Sequence, residues 1–266
     1  INTTSTMTTR TTSSRRPDGR ASEGTLRPLA CELSCLHRAD GSALWKAGST
    51  HVLAAVYGPI APQNINNENT TQGVVSVVIK SGKTDNNQLR EYEMGEFLHN
   101  VLESCVDVRR FPRCVIQVVL QIIQFDGSLL ACLLHSAVAA LMDAGVDLLY
   151  IPVATTCLVA STSASASRLD KDDHKKNTTT TTASIRLDPT SAEEEEDKDT
   201  SIIVLVNEQN RPERVLGTHS LGPGVSLDEL LACVQVASKA CPAIPAFFRL
   251  ALEQKISREC QTLWSR

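Results

Sequence analysis

The sequence predicts an α+β fold in which helices pack on mixed or antiparallel sheets. Short apolar runs are separated by turn signals, two helical segments fall between residues 89 and 145, and further strands precede two closing helices. The chain has 266 residues, of which 42% are hydrophobic, so a sizeable core can form. Because aromatic residues make up only 4%, we expect that core to rest on aliphatic side chains.

The first half of the chain alternates between strand and helix signals. Residues 29–59 form three short bursts of alternation separated by turn signals at 39–41 and 47–49, which predicts three antiparallel strands. Residues 74–80 (VVSVVIK) predict a fourth strand. In residues 89–105 apolar side chains recur every three or four positions, which is typical of an amphipathic helix.

The second half begins with the most strand-like run, VIQVVLQIIQF at 115–125. The segment after Gly127 is apolar nearly all round and stops at Gly145, which predicts a helix buried on most of its surface. A strand is expected at 151–160. The remaining predicted elements are strands at 184–187, 201–206 and 214–218 and helices at 226–239, opened by a capping box, and 247–264.

Polar low-complexity segments set the predicted domain limits. Residues 1–19 are rich in Thr, Ser and Arg and are expected to be a disordered leader, with order beginning near the Pro-Asp-Gly turn at 17–19. Residues 20–266 are expected to form one domain. Residues 161–183 have low apolar content and predict a surface insertion, and the acidic run 193–199 predicts a solvated loop.

Charge and cysteine content limit the classes of partner and compartment. The chain carries 26 Lys and Arg against 30 Asp and Glu, a net charge of −4, so contact with a polyanion needs a local patch. The densest such patch is Arg109, Arg110 and Arg113, which could touch RNA phosphates or merely solubilise a loop. Nine cysteines, mostly in apolar runs, indicate a reducing compartment. No secretion signal or membrane span is expected.

Several motifs in the same order resemble the ribonuclease PH superfamily. They are RPDGR at 16–20, GSTHVLAAVYGP at 48–59, DGSLLAC at 126–132 and LDPTS at 187–191. The resemblance spans 20–265 apart from the insertion. It implies a ribonuclease PH-like fold with two βαβα halves of the kind found in ribosomal protein S5 domain 2.

Within that superfamily the chain resembles ring subunits of the eukaryotic RNA exosome. The resemblance implies a hetero-oligomeric ring of ribonuclease PH-like subunits with RNA threading through its channel. It implies further partners, namely cap subunits of the S1 or KH type and a catalytic nuclease bound to the ring. The expected role is rRNA and other 3′-to-5′ RNA processing in the nucleus, including the nucleolus, and in the cytoplasm.

The resemblance also predicts where a phosphate site would lie. In active relatives a Gly-Gly-Thr-Arg-like turn cradles phosphate at a helix N-terminus. The matching residues here are Gly127, Ser128, Leu129 and Leu130, so Leu130 stands where active relatives have arginine. Ser128 is interpreted as a helix N-cap. His99 falls at a second arginine position, and we expect it to be a solvated side chain.

The family's metal-binding carboxylates are spaced by six residues, and Glu193 and Asp199 have that spacing. Six of the seven residues in this run are acidic, so a matching pair could arise by chance. We therefore predict a noncatalytic chain with a vestigial phosphate site and no cofactor or metal. The alternative is an active phosphorolytic or metal-dependent hydrolytic 3′-to-5′ exoribonuclease that uses Glu193 and Asp199.

Overall fold

The structure is a computed structural model of the chain, and it describes residues 16–62, 69–82, 88–160, 184–196 and 200–264. The insertion predicted at 161–183, residues 1–15 of the predicted leader, and Asp199 lie outside the described residues. The α+β arrangement expected from the sequence, with helices packed on a mixed and an antiparallel sheet, is confirmed in the described parts of the chain.

The first sheet has five strands in the order β1-β2-β3-β5-β4. β1 to β3 form antiparallel pairs, as predicted, and β4 runs parallel to β5. A parallel pair needs a crossover connection, and helix α1 supplies it between the two strands. The bounds are β1 Leu29–Leu33, β2 Gly41–Ala47, β3 Thr50–Ile60, β4 Val74–Ser81, α1 Gln88–Cys105 and β5 Val115–Gln124.

The second sheet has four antiparallel strands in the order β7-β6-β8-β9. All four strands were expected from the sequence, although β9 extends beyond the predicted 214–218. The bounds are β6 Pro152–Ala160, β7 Ser184–Leu187, β8 Thr200–Glu208 and β9 Arg211–Leu221.

Helix α2, Leu129–Asp143, is the centre of the larger core, and it packs on β2, β3 and β6. It therefore contacts both sheets, which explains why its sequence is apolar on nearly every side. Its one imidazole, His135, is 4% exposed, and its Nε2 accepts a hydrogen bond from the Ala154 N–H at 3.1 Å. Burial lowers the pKa of His135 to about 4, so this side chain is neutral and packs against Trp45.

Two helices close the chain, α4 at Leu227–Ala240 and α5 at Ala243–Trp264. The predicted capping box is confirmed: the Ser226 hydroxyl accepts from the Glu229 N–H, and the Glu229 carboxylate accepts from the Ser226 N–H. Helix α5 begins four residues before its predicted start because Pro245 lies in the first turn, where no intrahelical N–H is required.

One helical run in the described chain, Leu227–Gln261, is long and apolar enough to cross a membrane by length and composition, although no such run was expected. Packing in the two cores accounts for part of this apolar content, and 28% of the run's most apolar window is buried. Cys233 and Ala237 of α4 are fully buried in a smaller core against β6 and β8, and Phe248 of α5 is 2% exposed in the larger core. A single run of this kind is weak evidence for a membrane span.

Candidate functional site

The turn that precedes α2 is held in a conformation that only glycine accepts easily. Gly127 has φ +74°, and a Cβ built on it would lie 2.5 Å from the carbonyl oxygen of Pro189 and 2.6 Å from the carbonyl carbon of Thr190. Real Cβ atoms do not approach backbone this closely, so the loop after β7 packs directly on the turn. The two motifs DGSLLAC and LDPTS thus meet at one place.

Ser128 lies at the N-cap position of α2, but its side chain does not cap the helix. Its backbone is left-handed, with φ 49°, and its hydroxyl donates to the Pro189 carbonyl oxygen at 3.1 Å. The predicted side-chain cap is therefore wrong, because the loop after β7 captures the hydroxyl. The Ser128 N–H donates instead to Oε1 of Glu194 at 2.8 Å.

Leu129 and Leu130 extend the larger core to the first turn of α2. Leu130 is 5% exposed and belongs to that core, and Leu129 is half-buried against it. A guanidinium does reach the turn, from Arg27, but it donates to the Gly127 carbonyl oxygen at 3.3 Å and to Asp188 at 2.7 Å. Because the Arg27 side chain is only 3% exposed and pairs with Asp188, its positive charge is neutralised inside the protein.

Arg16 and Glu193 form a buried ion pair beside this turn. Arg16 Nε and Nη2 each donate to one oxygen of Glu193 at 2.8 Å, and Nη1 donates to the Leu187 carbonyl oxygen at 2.9 Å. The side chains are 3% and 0% exposed. The disordered leader predicted for residues 1–19 is wrong at Arg16, and the solvated loop predicted for 193–199 is wrong at Glu193, since each charge finds its partner 177 positions away.

The acidic run also has a secondary structure that the sequence reasoning missed, the short helix α3 at Ser191–Glu196. Burial alone would raise the pKa of Glu193, but the Arg16 guanidinium and the Thr190 N–H hold it below its ordinary value. Both oxygens of Glu193 are thus engaged inside the protein. Within the described ranges, no group of three or more His, Cys, Asp or Glu side chains could hold a metal ion.

The structure places His99 away from this cluster. It lines a cleft of about 880 Å³ between α1 and β4, together with Tyr92 and the side chains of residues 74–79. Its Nε2 lies 3.7 Å from Oε2 of Glu103, one turn further along α1, and its side chain is 29% exposed. The contacts of Ser128 described above come from Pro189 and Glu194 and do not involve His99.

The three clustered arginines are exposed between α1 and β5. Arg109 and Arg110 lie in a 3-10 turn, and Arg113 follows in a left-handed conformation with φ 61°. Arg110 is partly neutralised by ion pairs with Asp107, at 3.1 Å, and with Asp147. The predicted surface position of the patch is confirmed.

The residues that sequence reasoning missed are Arg27, Asp188 and Glu194. Asp188 lies within the LDPTS motif, but the motif does not reveal that its carboxylate pairs with Arg27. Its carboxylate binds the Arg27 guanidinium and the Arg27 N–H, which lowers its pKa although burial opposes the shift. No periodicity or spacing could identify these partners, because they come together only when the two sheets fold.

Two sheets thus share the buried helix α2, and the loop after β7 packs against the first turn of that helix. The sequence profile of the 3′ exoribonuclease family, domain 1, matches residues 25–147. Together with a relative that the chain matches over nearly its whole length, described next, this profile shows that the chain belongs to the ribonuclease PH family.

Individual relatives extend the match beyond that region. The chain is 34% identical over 250 residues to the "Exosome complex exonuclease RRP46 homolog" of Arabidopsis thaliana, covering 91% of this chain and 98% of that protein. The crystal structure of rice (Oryza sativa) Rrp46 is similar with a TM-score of 0.75 and 31% identity, covering 90% and 100% of the two chains. An Archaeoglobus fulgidus exosome with RNA bound to its active site shares the fold, with a TM-score of 0.70 and 17% identity. The match covers 88% of this chain and 93% of that chain.

Proposed function

We propose that this chain is a noncatalytic ribonuclease PH-like subunit of an RNA exosome ring. In this role it supports ring assembly and guides RNA, while a nuclease bound elsewhere on the ring removes nucleotides from the 3′ end. The relatives support the ring assignment, because two of them bear the RRP46 name and one is an exosome. The Arabidopsis name also contains the word exonuclease, which keeps a catalytic role as the alternative to be tested.

The observation that carries the noncatalytic assignment is the apolar first turn of α2. Phosphorolysis requires inorganic phosphate to be held by charge-assisted hydrogen bonds in line with the phosphodiester. Leu130 provides no such bond and is buried in the core, and Arg27 is committed to Asp188. A charged hydrogen bond contributes about 1.5–3 kcal/mol, so its loss weakens phosphate binding by about tenfold or more.

The outer edge of the first sheet supports assembly. Strand β4 pairs with β5 on one side and is last in the strand order of its sheet. Beside it, Tyr92 of α1 is 72% exposed and Leu89 is 79% exposed. Among the described strands β4 pairs only with β5, and such a sheet edge with adjacent apolar surface is suited to a neighbouring subunit. We assign this edge to contact with another ring subunit.

The finer parts of the proposal follow from exosome membership. The ring carries S1 or KH-type caps and a catalytic nuclease, and its substrates include rRNA precursors. The complex works in the nucleus, including the nucleolus, and in the cytoplasm. Glu193 is proposed as a structural carboxylate, and neither it nor Asp199 is assigned to catalysis.

We expect the purified chain, incubated with single-stranded RNA, Mg²⁺ and inorganic phosphate, to release no nucleoside diphosphate above background. The endogenous chain, captured under native conditions, is expected to bring ring subunits, caps and a nuclease in equal amounts. Chromatography of the nucleotides and quantitative mass spectrometry provide the two readouts. Phosphate-dependent release that Asp199→Ala abolishes would establish the catalytic alternative, and capture of the chain without ring subunits would contradict the proposed assembly.

We assign Arg109 and Arg113 to RNA contact in the assembled complex, because both are exposed in the short segment between α1 and β5. The double variant Arg109→Gln, Arg113→Gln should weaken binding of single-stranded RNA. Each lost phosphate contact should reduce the slope of log affinity against log salt by about 0.7, so we expect a reduction of about 1.4. Fluorescence anisotropy across a salt series measures this slope. Arg258→Gln, an exposed arginine on α5, is the control, and an equal slope in both variants would refute the assignment.

A further inference from the structure

The N-terminus of α2 already carries an anion, and the chain itself supplies it. The Ser128 N–H donates to Oε1 of Glu194 at 2.8 Å. The free N–H groups and dipole of a helix N-terminus favour an anion at this position. We propose that the Glu194 carboxylate is an internal anion that excludes inorganic phosphate from this chain, an inference that rests on the proposed function and explains its noncatalytic character further.

The loop that precedes Glu194 packs directly on the turn. The Pro189 carbonyl oxygen lies 2.5 Å from the Cβ position of Gly127 and accepts the Ser128 hydroxyl at 3.1 Å. The Ser191 N–H donates to Oδ1 of Asp126 at 3.3 Å. These contacts hold residues 189–191 against the turn and so fix the start of the helix that carries Glu194.

The neighbouring residue Glu193 fixes the position from which Glu194 reaches the turn. Its carboxylate is held by the two Arg16 hydrogen bonds and by the Thr190 N–H at 3.0 Å. The Glu194 N–H donates to the Thr190 carbonyl oxygen at 2.9 Å. Arg16 therefore anchors α3 through one glutamate while the next glutamate occupies the helix N-terminus.

The surrounding charges disfavour a further anion. Burial raises the pKa of Glu194, and the carboxylates of Asp126 and Asp188 add to this effect, whereas the Ser128 N–H and the Arg27 guanidinium oppose it. A phosphate at this turn would meet three carboxylates and one guanidinium that is already paired with Asp188. A raised pKa also means that the ionised Glu194 is less favourable in the folded chain than in the unfolded one. Glu194→Gln should therefore not lower stability at neutral pH.

The test uses the melting temperature of the full chain in phosphate and in sodium chloride of equal ionic strength. We expect wild type to melt at the same temperature in both salts. Glu194→Ala, which removes the internal anion, should gain a phosphate-specific rise of about 2–4 °C. Glu195→Ala, an exposed neighbour in the same helix, is the matched control and should show no rise. The inference is overturned by a phosphate-specific rise in wild type equal to that of Glu194→Ala, or by no rise in Glu194→Ala.

A second measurement decides the matter if Glu194→Ala does not fold. The amide proton of Ser128, followed by NMR in wild type, should shift with pH as a carboxyl group of raised pKa titrates, and Glu194→Gln should abolish that shift. A Ser128 amide that does not respond, or that responds equally in Glu194→Gln, overturns the inference. Phosphate binding by a wild-type chain that releases no nucleoside diphosphate would refute this inference and leave the proposed function intact.

Discussion

Arg16→Ala is expected to lower the free energy of unfolding by about 3 kcal/mol, because it removes the two short hydrogen bonds from a buried carboxylate and leaves only Arg20 Nη2, 3.5 Å from Oε2 of Glu193, as a counter-charge. The Glu193 side chain is 0% exposed and receives two hydrogen bonds of 2.8 Å from Arg16. Urea denaturation at neutral pH measures the loss as a lower midpoint with an unchanged slope. The double variant Arg16→Ala, Glu193→Ala should lose less than the sum of the two single variants, since the first substitution already removes the interaction.

The control for this prediction is Arg186→Ala. Arg186 pairs with Glu196 at 3.4 Å, but the Glu196 side chain is 58% exposed, and exposed pairs contribute little to stability.

Unfolding at acid pH provides a second test of the Arg16–Glu193 pair. Because the pKa of Glu193 is below its ordinary value in the folded chain, its contribution is present above the unfolded pKa and is lost as pH falls through the folded pKa. An Arg16→Ala chain as stable as Arg186→Ala would show that the pair does not hold α3.

Local patterns were sufficient for most of the fold. Alternation placed the strands, and the apolar run after Gly127 predicted a buried helix, because these signals depend on residues close in sequence. The exception is α3. Its sequence, SAEEEE, has no apolar face, so a solvated loop was the natural interpretation. The helix is ordered by Arg16, whose contribution only the tertiary structure reveals.

The site was predicted less completely for the same reason. Gly127 and Leu130 could be named from motif order, and as expected Gly127 lies in the turn before α2 and Leu130 in its first turn. The side-chain cap predicted for Ser128 was wrong, because its hydroxyl donates to the Pro189 carbonyl oxygen instead. Glu194 was one of several similar glutamates in a run, and nothing in its spacing distinguished it from Glu195. Its position against the Ser128 N–H depends on the docking of the second sheet on the first.

Gly127→Ala should show how strongly the two sheets depend on this docking. We expect a loss of about 3–5 kcal/mol, from the strain of a Cβ at φ +74° and from its collision with backbone atoms of Pro189 and Thr190. Gly145→Ala separates the two causes. Gly145 has a similar φ of +72° but nothing within 4 Å of its Cβ position, so it should lose only about 1–2 kcal/mol. The difference between the two variants, measured by urea denaturation, is the free energy of the close contact, and equal losses would mean that the loop after β7 is not pressed against the turn.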